Sequence, residues 1–190
     1  MELLPGGDLR ALLKKAVEPL AGEHAQRIIR DICSGMHFLH LKETVHGDLK
    51  SPNVLFDGAG RAKIADFGTS RWPQLTNSTG LATHTTHTGH STQMSFAWAA
   101  PEVLESKGTS FASDVYSFGI VMWEVLSRKL PWADEACPRD IYARVVFKGD
   151  RPEIPGGSPA EMARVMSACW AGVANVRPTF SGIMKWQDWE

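Results

Sequence analysis

The chain has 190 residues, of which 43% are hydrophobic and 22% are charged, and its formal net charge is −1. This is the composition of one ordinary globular domain, and so small a net charge excludes a field that would draw the whole chain to nucleic acid or to anionic lipid. Three cysteines, an odd number at wide spacing, indicate free thiols and not a disulfide framework.

Neither a secretory leader nor a membrane span is predicted. The first residues, MELLPGGDLR, lack both a basic start and a long apolar stretch. The most apolar segment, residues 118–123, is followed at once by Glu124 and is much shorter than the roughly 20 residues that cross a bilayer. The expectation is a soluble, cytoplasmic protein.

The clearest helical pattern lies in residues 25–41. Ile28, Ile32 and Met36 recur there at a spacing of four, which places them on one face of a helix. Charged residues, among them Asp31, fall elsewhere on the helical wheel. The pattern predicts an amphipathic helix whose charged residues lie away from the core.

A dense group of polar residues follows in VHGDLKSPNVLF, residues 45–56. An acid, an amine and an amide lie close together there, between apolar neighbours, and the stretch leads into a strand predicted at residues 53–56. Residues 57–60 (DGAG) have the composition of a turn, and residues 62–65 are predicted to form the second strand of a hairpin-like pair.

The second half of the chain is predicted to be helical after one long loop. Residues 69–95 are rich in Thr, Ser, Gly and His and cannot bury enough apolar surface to offset their ordering entropy, which predicts a mobile loop. Residues 114–128 are apolar almost all round, as is typical of a buried central helix, and a last helix is predicted to begin near Pro178. The tryptophans predicted to belong to the core are Trp98, Trp123, Trp132 and Trp170.

Three motifs occur in a fixed order: HGDLKSPN at residues 46–53, DFG at 66–68 and APE at 100–102. In this order they resemble the eukaryotic protein kinase family. MELLPGGDL is similar to a kinase hinge, DVYSFGIVMWEVL to the central helix of the large lobe, and CWAGVANVRPTF to the C-terminal signature of that lobe. The resemblance runs from residue 1 to about residue 184. It implies a mainly α fold, a kinase large lobe with a small β-hairpin at the catalytic loop, so that residues 1–190 form one partial kinase domain.

The resemblance implies a role for each polar residue near the catalytic loop. Asp48 would accept or orient the proton of a substrate hydroxyl, and Lys50 would lie against the γ-phosphate of ATP. Asn53 and Asp66 would present oxygen atoms to Mg²⁺, a hard cation that shares its ligands with phosphates. Gly68 would give the backbone the freedom to swing Asp66 in and out. Phosphoryl transfer depends mostly on such positioning and charge stabilisation.

The hinge resemblance implies the contacts to the nucleotide. Glu2 and Leu4 would offer backbone atoms to adenine. Leu55 would form the floor of the adenine pocket, and Asp8 could reach the ribose.

The glycine-rich phosphate loop and the strand lysine of the family's small lobe are not found in the 190 residues. We therefore expect a truncated kinase that binds ATP poorly and catalyses feebly by itself. Apolar surface around Leu3, Leu4 and Leu55 is expected to favour aggregation or to be covered by a partner.

The residues around Asp48 also indicate which hydroxyl is phosphorylated. A lysine two residues after Asp48, as at Lys50, resembles the serine/threonine-specific pattern. The tyrosine-kinase-like group of serine/threonine kinases is the one most similar in three stretches, HGDLKSPNVLF, AWAAPE and RPEIP. Ser95 aligns with the residue that hydrogen-bonds the catalytic aspartate and lysine. The resemblance implies transfer of phosphate to serine or threonine in protein substrates.

Gly47 departs from the family pattern. Most relatives carry an arginine there, which pairs with a phosphorylated residue of the activation loop. Glycine cannot form that pair. Phosphorylation between residues 69 and 95 is therefore expected to regulate the protein without this clamp, or not at all.

Three further residues resemble structural positions of the family. Glu102 and Arg177 resemble the buried ion pair that ties the activation segment to the C-terminal helices. Asp114 resembles the residue that holds the backbone of the catalytic loop.

Two functions of other classes stay open at this point. The lobe could be a non-catalytic binding or scaffold module, although such a module gains nothing from an intact Asp48 and Asp66. The histidines of HTTHTGH could form a metal-binding tract or be incidental in a Thr-rich loop. They are His84, His87 and His90.

Overall fold

The computed structural model describes residues 4–15, 22–66, 95–135 and 137–186. Helices dominate these ranges, with two short strands, as the sequence predicts. The elements are α1 (Leu9–Lys15), α2 (Gly22–Leu41), β1 (Val54–Phe56), β2 (Ala62–Ile64), α3 (Pro101–Leu104), α4 (Phe111–Ser127), α5 (Pro138–Tyr142), α6 (Ala160–Cys169) and α7 (Phe180–Met184). Single 3₁₀ turns lie at Ser51–Asn53, Phe96–Trp98 and Ala174–Val176, and a π-helical turn lies at Ala143–Lys148.

Helix α4 is the buried centre of the fold, which confirms the prediction from its apolar sequence. It packs against α6 and α2, and the side chains of Phe118, Ile120 and Met122 are fully buried. The helix begins three residues before the predicted Asp114, because Ser110 and Ser113 form a reciprocal capping box. Each of the two residues donates its backbone N–H to the hydroxyl of the other.

Helix α2 carries the predicted apolar stripe but begins at Gly22, three residues earlier than expected. The expectation that Asp31 lies away from the core is wrong, because this residue is 92% buried on the side of β2. Its carboxylate accepts hydrogen bonds from Arg61 Nε at 2.8 Å and from the backbone N–H of Ala62 at 3.1 Å. A buried carboxylate needs such partners, so Asp31 fixes the hairpin to the helix.

The two strands form the predicted antiparallel pair, each one residue shorter than predicted. Val54 pairs with Ile64 and Phe56 with Ala62. In the connecting turn, Asp57 accepts the backbone N–H groups of Ala59 and Arg61, both at 2.9 Å. The pair lies against α2, where Gly35 leaves room for it, because a Cβ at residue 35 would lie only 2.8 Å from Ile64 Cγ1.

The N-terminal segment adds to the outer edge of this pair. Gly6 donates its N–H to the carbonyl of Phe56 at 3.0 Å, and Asp8 forms a β-bridge with Leu55. The hinge-like sequence is therefore bonded directly to the strand that follows the catalytic loop.

The last helix, α7, packs against α2. It begins at Phe180, so the predicted start near Pro178 was two residues early. Thr179 is the N-cap, and its hydroxyl accepts the backbone N–H of Gly182 at 3.1 Å.

The four tryptophans lie in the core and the three cysteines are free, as predicted. Each of the four tryptophans is at most 7% exposed, and Cys33, Cys137 and Cys169 are free. Burial raises the pKa of Cys33 to about 12, so its thiol stays protonated and unreactive. Among the described residues, no helix is long and apolar enough to cross a membrane.

Candidate active site

A compact hydrogen-bonded cluster forms around Asp48, as the motif predicted. Lys50 Nζ donates to Asp48 Oδ2 at 2.7 Å and to Ser95 Oγ at 3.0 Å. Lys50 is 92% buried, and the Asp48 side chain keeps 17% of its surface exposed. Asp48 and Ser95 hold the buried ammonium in place, while the Asp48 carboxylate stays accessible to a hydroxyl from solution.

Asn53 and Asp66, the two predicted metal ligands, lie at the open end of the hairpin. Asn53 Nδ2 donates to the backbone oxygen of Asp48 at 2.8 Å, which leaves its carboxamide oxygen as the atom that can face a cation. The N–H of Ala65 donates to the Asn53 carbonyl at 2.9 Å, so Asp66 follows directly after the residue paired with Asn53. Two oxygen donors therefore come from neighbouring backbone segments, and the Asp66 carboxylate belongs to an exposed residue.

Asp66 has a left-handed backbone, with φ of +60°. Such a conformation costs a residue other than glycine about 1 kcal/mol or more, and it persists where the surroundings impose it. His46 supplies part of that constraint, because its Nε2 bonds the carbonyl of Ala65 at 3.1 Å and its Nδ1 accepts the N–H of Asp48 at 3.2 Å. This fully buried imidazole joins the two halves of the site.

Asp114 holds the backbone of the catalytic loop, as the resemblance implied. Its Oδ2 accepts the N–H of His46 at 2.8 Å, and its Oδ1 accepts the N–H of Gly47 at 2.9 Å. A third partner, His40 Nε2, lies 2.9 Å from Oδ2. Sequence reasoning missed His40, although it continues the buried stripe of α2 one turn beyond Met36.

Gly47 has a left-handed backbone, with φ of +78°. We expect Gly47→Ala to lower the free energy of unfolding by about 1 kcal/mol, because a Cβ is strained in that region. The matched control is Gly58→Ala in the hairpin turn, where a Cβ would meet nothing closer than Pro5 Cγ at 4.0 Å. Urea unfolding of both variants tests this, and equal effects from the two substitutions would contradict it.

A second buried cluster, centred on Glu124, was not predicted. Its Oε1 accepts the hydroxyl of Ser51 at 2.7 Å, its Oε2 accepts Trp98 Nε1 at 2.6 Å, and Arg10 Nη1 lies 3.9 Å from Oε1. The residue is fully buried. The sequence feature that could have revealed this cluster is a single carboxylate inside the apolar run of α4. A carboxylate buried there is stable only if other elements donate hydrogen bonds to it. The cluster joins α4 to the catalytic loop and to the Phe96–Trp98 turn.

Glu124 is expected to make stability depend on pH. Burial raises its pKa from 4.5 to about 7, although the hydrogen bonds from Trp98 and Ser51 act in the opposite direction. Between these values the folded protein keeps a proton that the unfolded chain has lost. Its contribution of about 3 kcal/mol is therefore fully present below pH 4.5 and is lost as the pH rises through 7.

Urea unfolding at a series of pH values, with Glu124→Gln as the reference, measures this contribution. The free energy of unfolding of the native protein should fall relative to that of the variant as the pH rises from 5 to 8. Parallel curves for the two proteins would show that Glu124 does not titrate in this range.

The structure describes some of the residues predicted to contact the nucleotide. Leu4 and Leu55 are half-buried, and Leu55 lies beside Asp8 through their β-bridge. Asp8 Oδ1 accepts the N–H of Ala11 at 2.8 Å, so one oxygen of the predicted ribose ligand caps α1. Glu2 and Leu3 lie outside the described residues.

Other predictions also fall outside the described ranges. The predicted mobile loop, apart from Ser95, and the histidine tract lie there, as does Gly68. Within the described ranges there is no group of three or more His, Cys, Asp or Glu side chains that could hold a metal ion. The alternative of a histidine metal site therefore stays untested.

The ion pair between Glu102 and Arg177 is present as the resemblance implied. Arg177 Nη1 and Nη2 donate to the two carboxylate oxygens at 2.7 and 2.9 Å. Burial acts to raise the pKa of Glu102, but the hydrogen bonds and charge of Arg177 outweigh it and hold the pKa below its ordinary value. Arg177 also donates to the carbonyls of Ala112 and Ala171, both at 2.9 Å, so one guanidinium ties α3 to α4 and to the segment after α6.

A cavity of about 320 Å³ opens beside Asp48. Its wall contains Ser95 and the apolar side chains of Phe96, Trp98 and Leu104. It lies next to the Asp48 carboxylate, and its apolar wall suits an apolar side chain.

Comparison with known proteins gives close matches over nearly the whole chain. The family described as protein tyrosine and serine/threonine kinase matches residues 1–186. Serine/threonine-protein kinase STY46 of Arabidopsis thaliana is 36% identical over 97% of the chain and 30% of its own length. Receptor-interacting serine/threonine-protein kinase 4 of Homo sapiens is 38% identical over 96% of the chain and 22% of its own length. The chain thus spans less than a third of the length of these two relatives.

Proposed function

Because the chain belongs to the protein tyrosine and serine/threonine kinase family, we propose that it transfers the γ-phosphate of ATP to serine and threonine hydroxyls of protein substrates. The observation that carries this proposal is the cluster in which Lys50 bridges Asp48 and Ser95 at 2.7 and 3.0 Å. An accessible carboxylate beside a fixed ammonium suits proton acceptance next to a transferring phosphate.

Asp48 is the residue that meets the substrate hydroxyl. Its carboxylate orients the hydroxyl and accepts its proton as the oxygen attacks the γ-phosphorus of ATP. The bond from that phosphorus to the bridging oxygen breaks in the same step, and ADP leaves. Lys50, held between Asp48 and Ser95, offsets the negative charge of the phosphoryl oxygens. The bond from Asn53 to the Asp48 backbone keeps the loop in register during this step.

The residues present fit Mg²⁺, which would be held by Asn53 Oδ1 and the Asp66 carboxylate. Both are hard oxygen donors of the kind that Mg²⁺ prefers. An ion held there together with ATP would supply charge that neutralises the phosphates. The left-handed backbone of Asp66 and the bond from the buried His46 to the Ala65 carbonyl constrain the backbone that carries this carboxylate.

The choice of serine and threonine rests on Lys50 and on the relatives. Those named above are serine/threonine kinases, while a third, HT1 of Arabidopsis thaliana, is 35% identical and is named a serine/threonine/tyrosine-protein kinase. Tyrosine is therefore the acceptor against which the preference has to be measured.

Phosphate incorporation from labelled ATP and Mg²⁺ tests the proposal. The 190 residues contain no glycine-rich phosphate loop, so we expect feeble turnover from this chain by itself and clear turnover when the small lobe of a relative is joined before it. Matched peptides with one serine, threonine or tyrosine report the acceptor. Labelling of tyrosine only, or no labelling even with the small lobe joined, would contradict the proposal. Robust labelling by the chain alone would contradict only the expected need for a small lobe.

A further inference from the structure

Another cavity, of about 410 Å³, lies between α2, the start of α4 and the start of α7. Its wall contains one ring from each of these helices, namely His40, Phe111 and Phe180. The centre of the His40 ring lies 4.5 Å from that of Phe111 and 4.9 Å from that of Phe180. Small-molecule sites commonly measure about 300–1,000 Å³, and packed rings of this kind favour contact with a further ring.

The described wall of this cavity offers no free ionic partner to a ligand. It contains no aspartate, glutamate or lysine, and its one arginine, Arg177, is fully buried. That guanidinium already donates to both carboxylate oxygens of Glu102 and to the carbonyl of Ala112. A charged molecule would lose its water here without gaining an ionic contact. The cavity therefore suits an uncharged molecule.

His40 supplies a hydrogen-bond acceptor in the same wall. Its Nε2 lies 2.9 Å from Asp114 Oδ2, and the two oxygens of that carboxylate also accept the N–H groups of His46 and Gly47. An ionised carboxylate cannot donate, so Nε2 carries the proton and Nδ1 of the neutral ring is an acceptor. Nδ1 has no hydrogen-bond partner within the described residues. It is not one of their buried unbonded atoms, so solvent reaches it.

Exposed apolar side chains surround the opening of the cavity. Leu41 at the end of α2 is 66% exposed, and Phe111 at the start of α4 is 37% exposed. Val176, which lies between the wall residues Asn175 and Arg177, is 65% exposed. Single exposed apolar residues are common on protein surfaces, whereas a group of them around one cavity is typical of a binding site.

We propose that this cavity is an effector site for an uncharged aromatic molecule whose N–H or O–H group donates to His40 Nδ1. A ligand held there secures the His40 ring and, through its bond to Asp114, the backbone of the catalytic loop. A ligand that binds only this arrangement opposes the opening of these contacts. Neither binding nor loop protection involves phosphate transfer, so both can be tested apart from the proposed function.

NMR titration of the isotope-labelled 190-residue chain with indole tests the site. We expect saturable shifts at the amides of His37, His40 and Leu41, with a Kd of about 0.1–1 mM for a ligand of about nine non-hydrogen atoms. Benzofuran has the same two rings with an oxygen in place of the N–H group, and it should bind at least about fivefold more weakly. Indole carboxylate keeps the N–H group but carries a charge, and it should also bind at least about fivefold more weakly.

Three variants locate the binding. Phe111→Ala removes one ring of the wall, and Ser181→Trp places a large side chain at an exposed position of it. Each should weaken indole binding at least about fivefold. Phe147→Ala removes an exposed ring that is not part of the wall, and it should leave Kd unchanged. If Phe111→Ala fails to fold, the comparison of indole with benzofuran on the native chain still decides.

Hydrogen exchange measures the link to the catalytic loop. With indole at about ten times its Kd, exchange at the amides of His46 and Gly47 should slow about tenfold. The amide of Ala59, which bonds Asp57 within the hairpin turn, should exchange at an unchanged rate. Unchanged exchange at His46 and Gly47 with indole bound would overturn the link. Shifts that do not saturate up to about 5 mM, or benzofuran binding as tightly as indole, would overturn the site itself.

Discussion

Replacing Asp48 with asparagine is expected to lower kcat for phosphoryl transfer by about 10²- to 10⁴-fold, the usual contribution of a positioned acid–base group. Asparagine keeps the shape of the side chain, but it cannot accept the proton of the substrate hydroxyl. It also weakens the hold on Lys50, whose 2.7 Å contact with Asp48 Oδ2 is a charge-assisted hydrogen bond. Both losses act on the transition state, so the KM for ATP should change much less than kcat.

Initial rates in the version that carries a small lobe measure this effect. Asp134→Asn is the control, because that carboxylate is 75% exposed and pairs with Arg144 at the surface. Its rate should stay within about twofold of the native rate, as expected for an exposed ion pair. If Asp48→Asn keeps more than about a tenth of the native kcat, Asp48 does not accept the proton.

Arg177→Ala is expected to lower the free energy of unfolding by about 3–5 kcal/mol, the range for a buried ion pair that loses one partner. The guanidinium is fully buried, and its removal leaves the Glu102 carboxylate and two backbone carbonyls without their donors. It also removes the cation that lies 5.1 Å from the centre of the Tyr116 ring. Urea unfolding followed by circular dichroism measures the loss.

An exposed arginine provides the matched control for this loss. Arg164 pairs with Glu161 within α6 at the surface, and Arg164→Ala should cost less than about 1 kcal/mol. A double variant, Glu102→Gln with Arg177→Ala, should cost less than the sum of the two single substitutions, because each one already breaks the same pair. Full additivity would show that the pair is not coupled.

The cluster around Asp48 was predictable because its residues lie close together in one short motif. Asp48, Lys50 and Asn53 lie within six residues, so their proximity is already set by the chain. The contacts of Asp114 and of the Glu102–Arg177 pair span more than 60 residues. Local pattern cannot give such contacts, and only the resemblance to a family predicted them.

The failures share one physical cause. Asp31 was placed away from the core because its neighbours on the helical wheel are charged, but its partner Arg61 lies 30 residues later. Glu124 and His40 were missed for the same reason. The energy of a buried polar group depends on hydrogen-bond donors from other elements. A local stretch of sequence does not show which distant residues supply these donors. Helices α4 and α7 begin at other residues than predicted, because the N-cap residue and not the apolar periodicity fixes where a helix begins.

The carboxylate of Asp114 also ties the integrity of the catalytic loop to the folding of the domain. Two consecutive amides of that loop, His46 and Gly47, find their acceptor 68 and 67 residues away on α4. The loop therefore cannot reach its active shape until a distant helix has docked, and this contact is among the slower kinds to form. We therefore expect loop and helix to open as one cooperative unit, so that hydrogen exchange at these two amides follows the opening of the core as a whole.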